Sequence, residues 1–94
     1  MSTYALPQPR VMVAAMADDL ELAARFVAAL FKATQGVPGR FRRIDDVAAW
    51  AGIEVEAEVQ RALRSAESAG FLVIHADKPL AMLSEEGLEA ARSG

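Results

Sequence analysis

Three glycines, Gly36, Gly52 and Gly70, cut the middle of this chain into segments whose lengths leave few arrangements open. Glycine reaches the left-handed backbone conformation that closes a helix without steric cost, so each is a natural stop. Gly52 ends "DVAAWA" after barely two turns, and Gly70 ends a longer periodic stretch over about 55–69. A short helix, a glycine-containing turn and a longer helix make a helix-turn-helix arrangement. In the short helix Asp45 is suited to the N-cap, and Val47, Ala48 and Trp50 or Ala51 are available to face a core. Ile53 follows as a buried turn residue, and the longer helix sets Val59, Ala62, Leu63 and Ala66 on one face.

The flanks complete the pattern. Upstream, apolar residues at 16, 20, 23, 27 and 30 alternate steps of four and three, the mark of one buried helix face or of a helix-pairing seam. Asp18 and Glu21 have the form of a capping box, and Gly36 with Pro38 supplies the stop. The spacing therefore predicts a helix over about 18–34, with room for a further turn or two backward through "VMVAAMA". Before it, "MSTYALPQPR" has prolines at 7 and 9 and no periodicity, so residues 1–10 read as an extended or mobile arm and 11–94 as a single domain. Between the first two helices, Phe41 and Ile44 flank a short arginine-rich extended run. Downstream, "FLVIH" and "LAMLS" are separated by the turn-forming "ADKP" and read as a β-hairpin, after which Ser84, Glu85 and Glu86 open a last helix. The predicted class is mainly α with a small β-hairpin (α+β), in the order helix, short strand, helix, helix, hairpin, helix.

Composition narrows the function. A 94-residue chain with 53% hydrophobic residues can fill one core and no second domain. With Cys 0 there is no disulfide framework, thiolate metal site or cysteine nucleophile. "VMVAAMA" follows a single Arg10 and gives way at once to Asp18 and Asp19, so it is a poor signal peptide and too short to span a bilayer. The expectation is a soluble, cytoplasmic protein with no membrane partner. Net charge is −3, yet arginines concentrate in 36–64, where five basic residues meet five acidic ones; 65–94 carries two against five. The electrostatic case for nucleic acid is local rather than global.

The segment "IDDVAAWAGIEVEAEVQRALRSAESAGFLVIHADKPLAMLSEEGLEAAR" resembles the winged helix-turn-helix domains of bacterial transcription regulators, MarR-like and related repressors among them. The resemblance rests on a capped short helix ending in Gly-Ile, a "RAL…SAG" helix and an "LSEEG" helix start, over about residues 44–92. It implies a winged-helix fold and binding to double-stranded DNA, with the second helix of the pair in the major groove. Glu56, Ala57, Gln60, Arg61 and Arg64 would then face the bases. Gln60 is suited to adenine and an arginine to guanine, since each offers paired hydrogen-bonding groups. Arg40, Arg42 and Arg43 are candidates for phosphate, and Lys78 at the hairpin tip is a weaker one. Glu54, Glu56 and Glu58 oppose this reading by repelling phosphate, unless they serve only the positive end of the helix dipole. The arginines before the helix pair have a plainer alternative in surface pairs with Asp45 and Asp46.

The hairpin carries a second signal. Phe71–Ile74 and Leu80–Leu83 are apolar on both faces, where a half-solvated strand would alternate. Something should cover the outer face: the "VMVAAM" segment, or a second subunit or other protein partner. Winged helices also serve as protein-binding or oligomerisation modules, and this is the alternative function. No catalytic constellation emerges. His75 is the lone histidine, no Cys/His cluster could hold zinc, and Ser65 or Ser68 with His75 and Asp77 lacks a nucleophile elbow. "GVPGR" lacks the lysine of a phosphate loop, Asp45 and Asp46 suit a cap better than an acid/base pair, and Trp50 suits packing better than base stacking. No cofactor or metal is implied.

Overall fold

The structure, a computed structural model, describes the backbone of residues 7–93 and the side chains of residues 19–93. It contains α1 (Pro7–Thr34), β1 (Arg42–Arg43), α2 (Ile44–Ala51), α3 (Glu56–Ser68), β2 (Leu72–Ile74), β3 (Leu80–Leu83) and α4 (Glu85–Ser93). The architecture is α+β: four helices and a three-stranded antiparallel sheet of order β1-β3-β2. The predicted order of elements is the observed one. β1 turns the hairpin into a sheet by pairing Arg42 with Ala81 and Arg43 with Leu80. β2 and β3 pair Leu72 with Leu83 and Val73 with Met82.

α1 departs most from expectation. Of the arm expected over 1–10, residues 1–6 lie outside the described range, and from Pro7 the chain is helical. Proline is tolerated in a first helical turn, where its missing N–H has no intrahelical partner to lose. Asp18 and Glu21 consequently lie inside the helix and not at its start. The alanine-rich stretch before them has strong helix propensity, enough to carry the helix through a D-x-x-E pattern that would otherwise suit its start.

The helix stops follow one design. Gly52 N–H donates to Ala49 O at 3.1 Å and Ile53 N–H to Ala48 O at 2.9 Å, the paired bonds of a left-handed stop, with Gly52 at φ 76°. α3 repeats it, with Gly70 donating to Glu67 O and Phe71 to Ala66 O, each at 2.9 Å. α1 ends likewise through Gln35 to Lys32 O and Gly36 to Phe31 O, but its first left-handed residue is Gln35, at φ 56°. Starts are less uniform. α2 opens two residues earlier than expected: Arg43 holds the N-cap position without a side-chain bond, and Asp45 and Asp46 lie in the first turn. There their charge still favours the helix N-terminus. α4 is capped by Ser84, whose hydroxyl accepts from Gly87 N–H at 3.0 Å and donates to Gly70 O. Gly87 is obligatory by contact, since a Cβ there would sit 1.9 Å from the Phe71 carbonyl oxygen.

One core results. α1 contributes Leu22, Phe26, Val27 and Leu30, α2 Val47 and Ala48, and α3 Val59, Ala62, Leu63 and Ala66. Leu72, Ala81, Leu83 and Leu88 close it from the sheet and α4. Burial of each large side chain contributes roughly 1.5–3 kcal/mol. Thr34 is the one polar residue buried among the described residues, and its hydroxyl donates to Leu30 O at 2.9 Å. Two expected core positions are corrected: Leu20 is 66% exposed and Trp50 is 60% exposed. The buried band of α1 runs through 22/23, 26/27 and 29/30, and Leu20 falls outside it. In α2 the inward stripe is Ile44, Val47, Ala48 and Ala51, which turns Trp50 outward.

Candidate nucleic-acid interface

α3 divides cleanly. Its buried stripe packs on α1, while Glu56, Ala57, Gln60, Arg61, Arg64 and Glu67 are exposed. The predicted groove-facing residues therefore do share one solvent-facing side, though two of them are engaged. Gln60 Nε2 donates to Glu56 Oε2 at 3.1 Å, one turn back on the same helix. Arg61 Nε bonds Asp19 Oδ1 of α1 at 2.7 Å, with both side chains 45% exposed. Such a solvated pair is worth about 0–1 kcal/mol, little enough for a phosphate or base edge to displace. Arg64 makes no hydrogen bond or ion pair among the described residues. Glu54, Glu56 and Glu58 surround the N-terminal end of α3, with Glu58 partly shielded.

Within β1 strand alternation sets Arg42 and Arg43 on opposite sides. Arg42 points to the helical side, where Nε and Nη2 donate to Ala33 O at 3.3 and 3.2 Å. It thus satisfies a carbonyl at the negative end of α1, a structural duty. Arg40 and Arg43 are exposed, and neither pairs with Asp45 or Asp46. Lys78 is exposed at the hairpin tip, where its backbone N–H and that of Asp77 donate to His75 Nδ1 at 3.2 and 3.1 Å. His75 also stands edge-on to Phe41, with ring centroids 5.3 Å apart. With Nδ1 accepting, the imidazole proton of the neutral ring resides on Nε2. His75 organises the tip.

Sequence reasoning passed over one residue and left the direction of another open. Arg25, on the exposed side of α1, donates from Nη2 to Ala51 O at 3.2 Å and Gly52 O at 3.1 Å, so it holds the turn between α2 and α3. Nothing local announces a contact spanning 26 residues. Trp50 instead stands over a shallow hollow of about 260 Å³ shared with Ala29, Lys32 and Ala33. The spacing of Ile44, Val47, Ala48 and Ala51 was the available signal for its outward direction.

Among the described residues no group of three His, Cys, Asp or Glu side chains could hold a metal ion, and no helix is long and apolar enough to cross a membrane. No protein-family model, curated protein or solved structure matches the chain.

Proposed function

We propose that this chain is a small winged-helix protein that binds double-stranded DNA through α3 and acts as a transcriptional regulator. The observation that carries the reading is the division of α3: one face buried in the core, the other exposed and, apart from Ala57, polar, preceded by a short helix and a glycine turn and followed by a hairpin. In the major groove Arg64 would meet base edges directly. Gln60 and Arg61 would exchange Glu56 and Asp19 for DNA. Arg40 and Arg43 would contact phosphate, Lys78 would lie at the wing tip, and Arg42 would take no part. The carboxylates of Glu54, Glu56 and Glu58 would limit affinity for arbitrary sequence and leave cytosine amino groups as acceptable neighbours.

The test is fluorescence anisotropy with a labelled random duplex, at low and at physiological salt. Expected is binding that weakens steeply with salt, with Arg64→Ala and the pair Arg40→Ala/Arg43→Ala each reducing affinity and the pair also flattening the salt slope. Absence of binding at low salt would remove the DNA reading. A second reading, a protein-binding module, is favoured by one feature: beside Arg43 the outer sheet face is apolar, with Val73 43% exposed and Leu80 and Met82 half-buried. That face would then be the site.

A further inference from the structure

Arg61 and Arg64 stand one turn apart on the exposed side of α3, yet they meet a ligand in different electrostatic states. Arg61 Nε donates to Asp19 Oδ1 at 2.7 Å, whereas Arg64 faces no carboxylate at ion-pair distance among the described residues. Asp19 belongs to α1, the helix on which α3 packs, so donor and acceptor are both carried by fixed elements. Gln60 shows the same arrangement one residue earlier, its amide nitrogen held 3.1 Å from Glu56 Oε2. Of the three α3 side chains suited to reading bases, two are thus already bonded to the protein's own carboxylates.

We infer that Asp19 is a specificity-determining residue, an internal anion that withholds Arg61 from phosphate and yields it to guanine. This rests on the reading of α3 as the DNA-binding helix. Moving Arg61 from Asp19 to a phosphate exchanges one anion for another and leaves the Asp19 carboxylate bare beside the duplex. The sum of charge facing the backbone is unchanged, so the move releases no further counterion and adds little to the binding of arbitrary sequence. Guanine offers what a phosphate exchange lacks: O6 and N7 accept two hydrogen bonds from one guanidinium in a fixed geometry, without bringing a second negative charge. Both side chains of the pair are half-exposed, so their bond is weak enough to yield when that acceptor arrives. α3 therefore sets a general cation, Arg64, beside a selective one, Arg61.

The test is anisotropy on a labelled random duplex over a salt series, with the fold of each variant checked by circular dichroism. Asp19→Asn should tighten binding by about threefold or more at low salt and steepen the salt slope by about one. Glu21→Gln, an equal change of charge at an exposed acid of α1 that holds no arginine among the described residues, should tighten it less. Asp19→Asn/Arg61→Gln, which deletes the pair, should match the wild type in affinity and slope, whereas Arg64→Ala should bind more weakly with a flatter slope. Duplexes selected by the wild type from a random-sequence pool should share a guanine that the pair variant no longer selects. If the wild type binds but Asp19→Asn gains no more than Glu21→Gln, the inference falls and the DNA reading stands. A pair variant that weakens as Arg64→Ala does, or that selects the same guanine as the wild type, also overturns it. No binding by the wild type or by Asp19→Asn at low salt removes the DNA reading, and this inference with it.

Discussion

α3 and the sheet both contribute apolar residues to the core, but they distribute them differently. In α3 the larger apolar residues share one stripe, Val59, Ala62, Leu63 and Ala66, and apart from Ala57 the remaining surface is charged or polar. In the sheet Leu72, Ala81 and Leu83 face inward and are buried, yet on the opposite face Val73, Leu80 and Met82 are apolar too, with only Arg43 charged beside them. A helix with one apolar stripe has finished its packing within the protomer. A sheet with two apolar faces has finished half of it. The helix face is thus fitted to water or a polar ligand, and the sheet face to another apolar surface.

The largest expected effect breaks the junction between the two regions. Gly87→Ala forces a methyl group into the Phe71 carbonyl, which also accepts from Ser84 N–H at 3.0 Å, so α4 must separate from the start of β2. A loss of about 4 kcal/mol in urea-derived stability is expected, enough to leave little folded protein. Next comes the buried stripe itself: Leu63→Ala, at a residue 4% exposed, should cost about 3 kcal/mol in the same measurement, with an unchanged denaturant slope. The smallest effect sharpens the contrast. Val73→Lys on the outer sheet face should shift stability by no more than about 0.5 kcal/mol in the isolated protomer. A cost near that of Leu63→Ala would mean that the outer face is covered in solution.

Much of the fold was legible because its signals are local. Gly52 and Gly70 stop their helices where the sequence places the stops, Ser84 opens α4, and the stripe of α3 is the expected one. What escaped depends on partners distant in the chain. Arg42 and Arg61 read alike as free cations, but Arg42 is bound to Ala33 O and Arg61 to Asp19, 42 residues away. Local spacing also misplaced Leu20, because alternating four and three steps describe a narrow seam, whereas α1 buries a band two residues wide. The start of α1 was misjudged because a capping pattern specifies a compatible N-terminus and does not forbid a helix from running through it. Of the candidate interface, the exposed side of α3 could be foreseen; the Gln60–Glu56 and Arg61–Asp19 bonds that occupy it could not.

Arg25 carries a mechanical consequence. Its guanidinium holds both Ala51 O and Gly52 O, the carbonyls at the end of α2 where the chain enters the turn, and its own helix is α1. Any rotation of α1 about its axis must therefore drag the turn with it or break two charge-assisted bonds. α1 thus supports α3 twice, once through the shared core and once through the turn that Arg25 holds, so loss of the Arg25 guanidinium would loosen the turn while leaving the buried stripe in place.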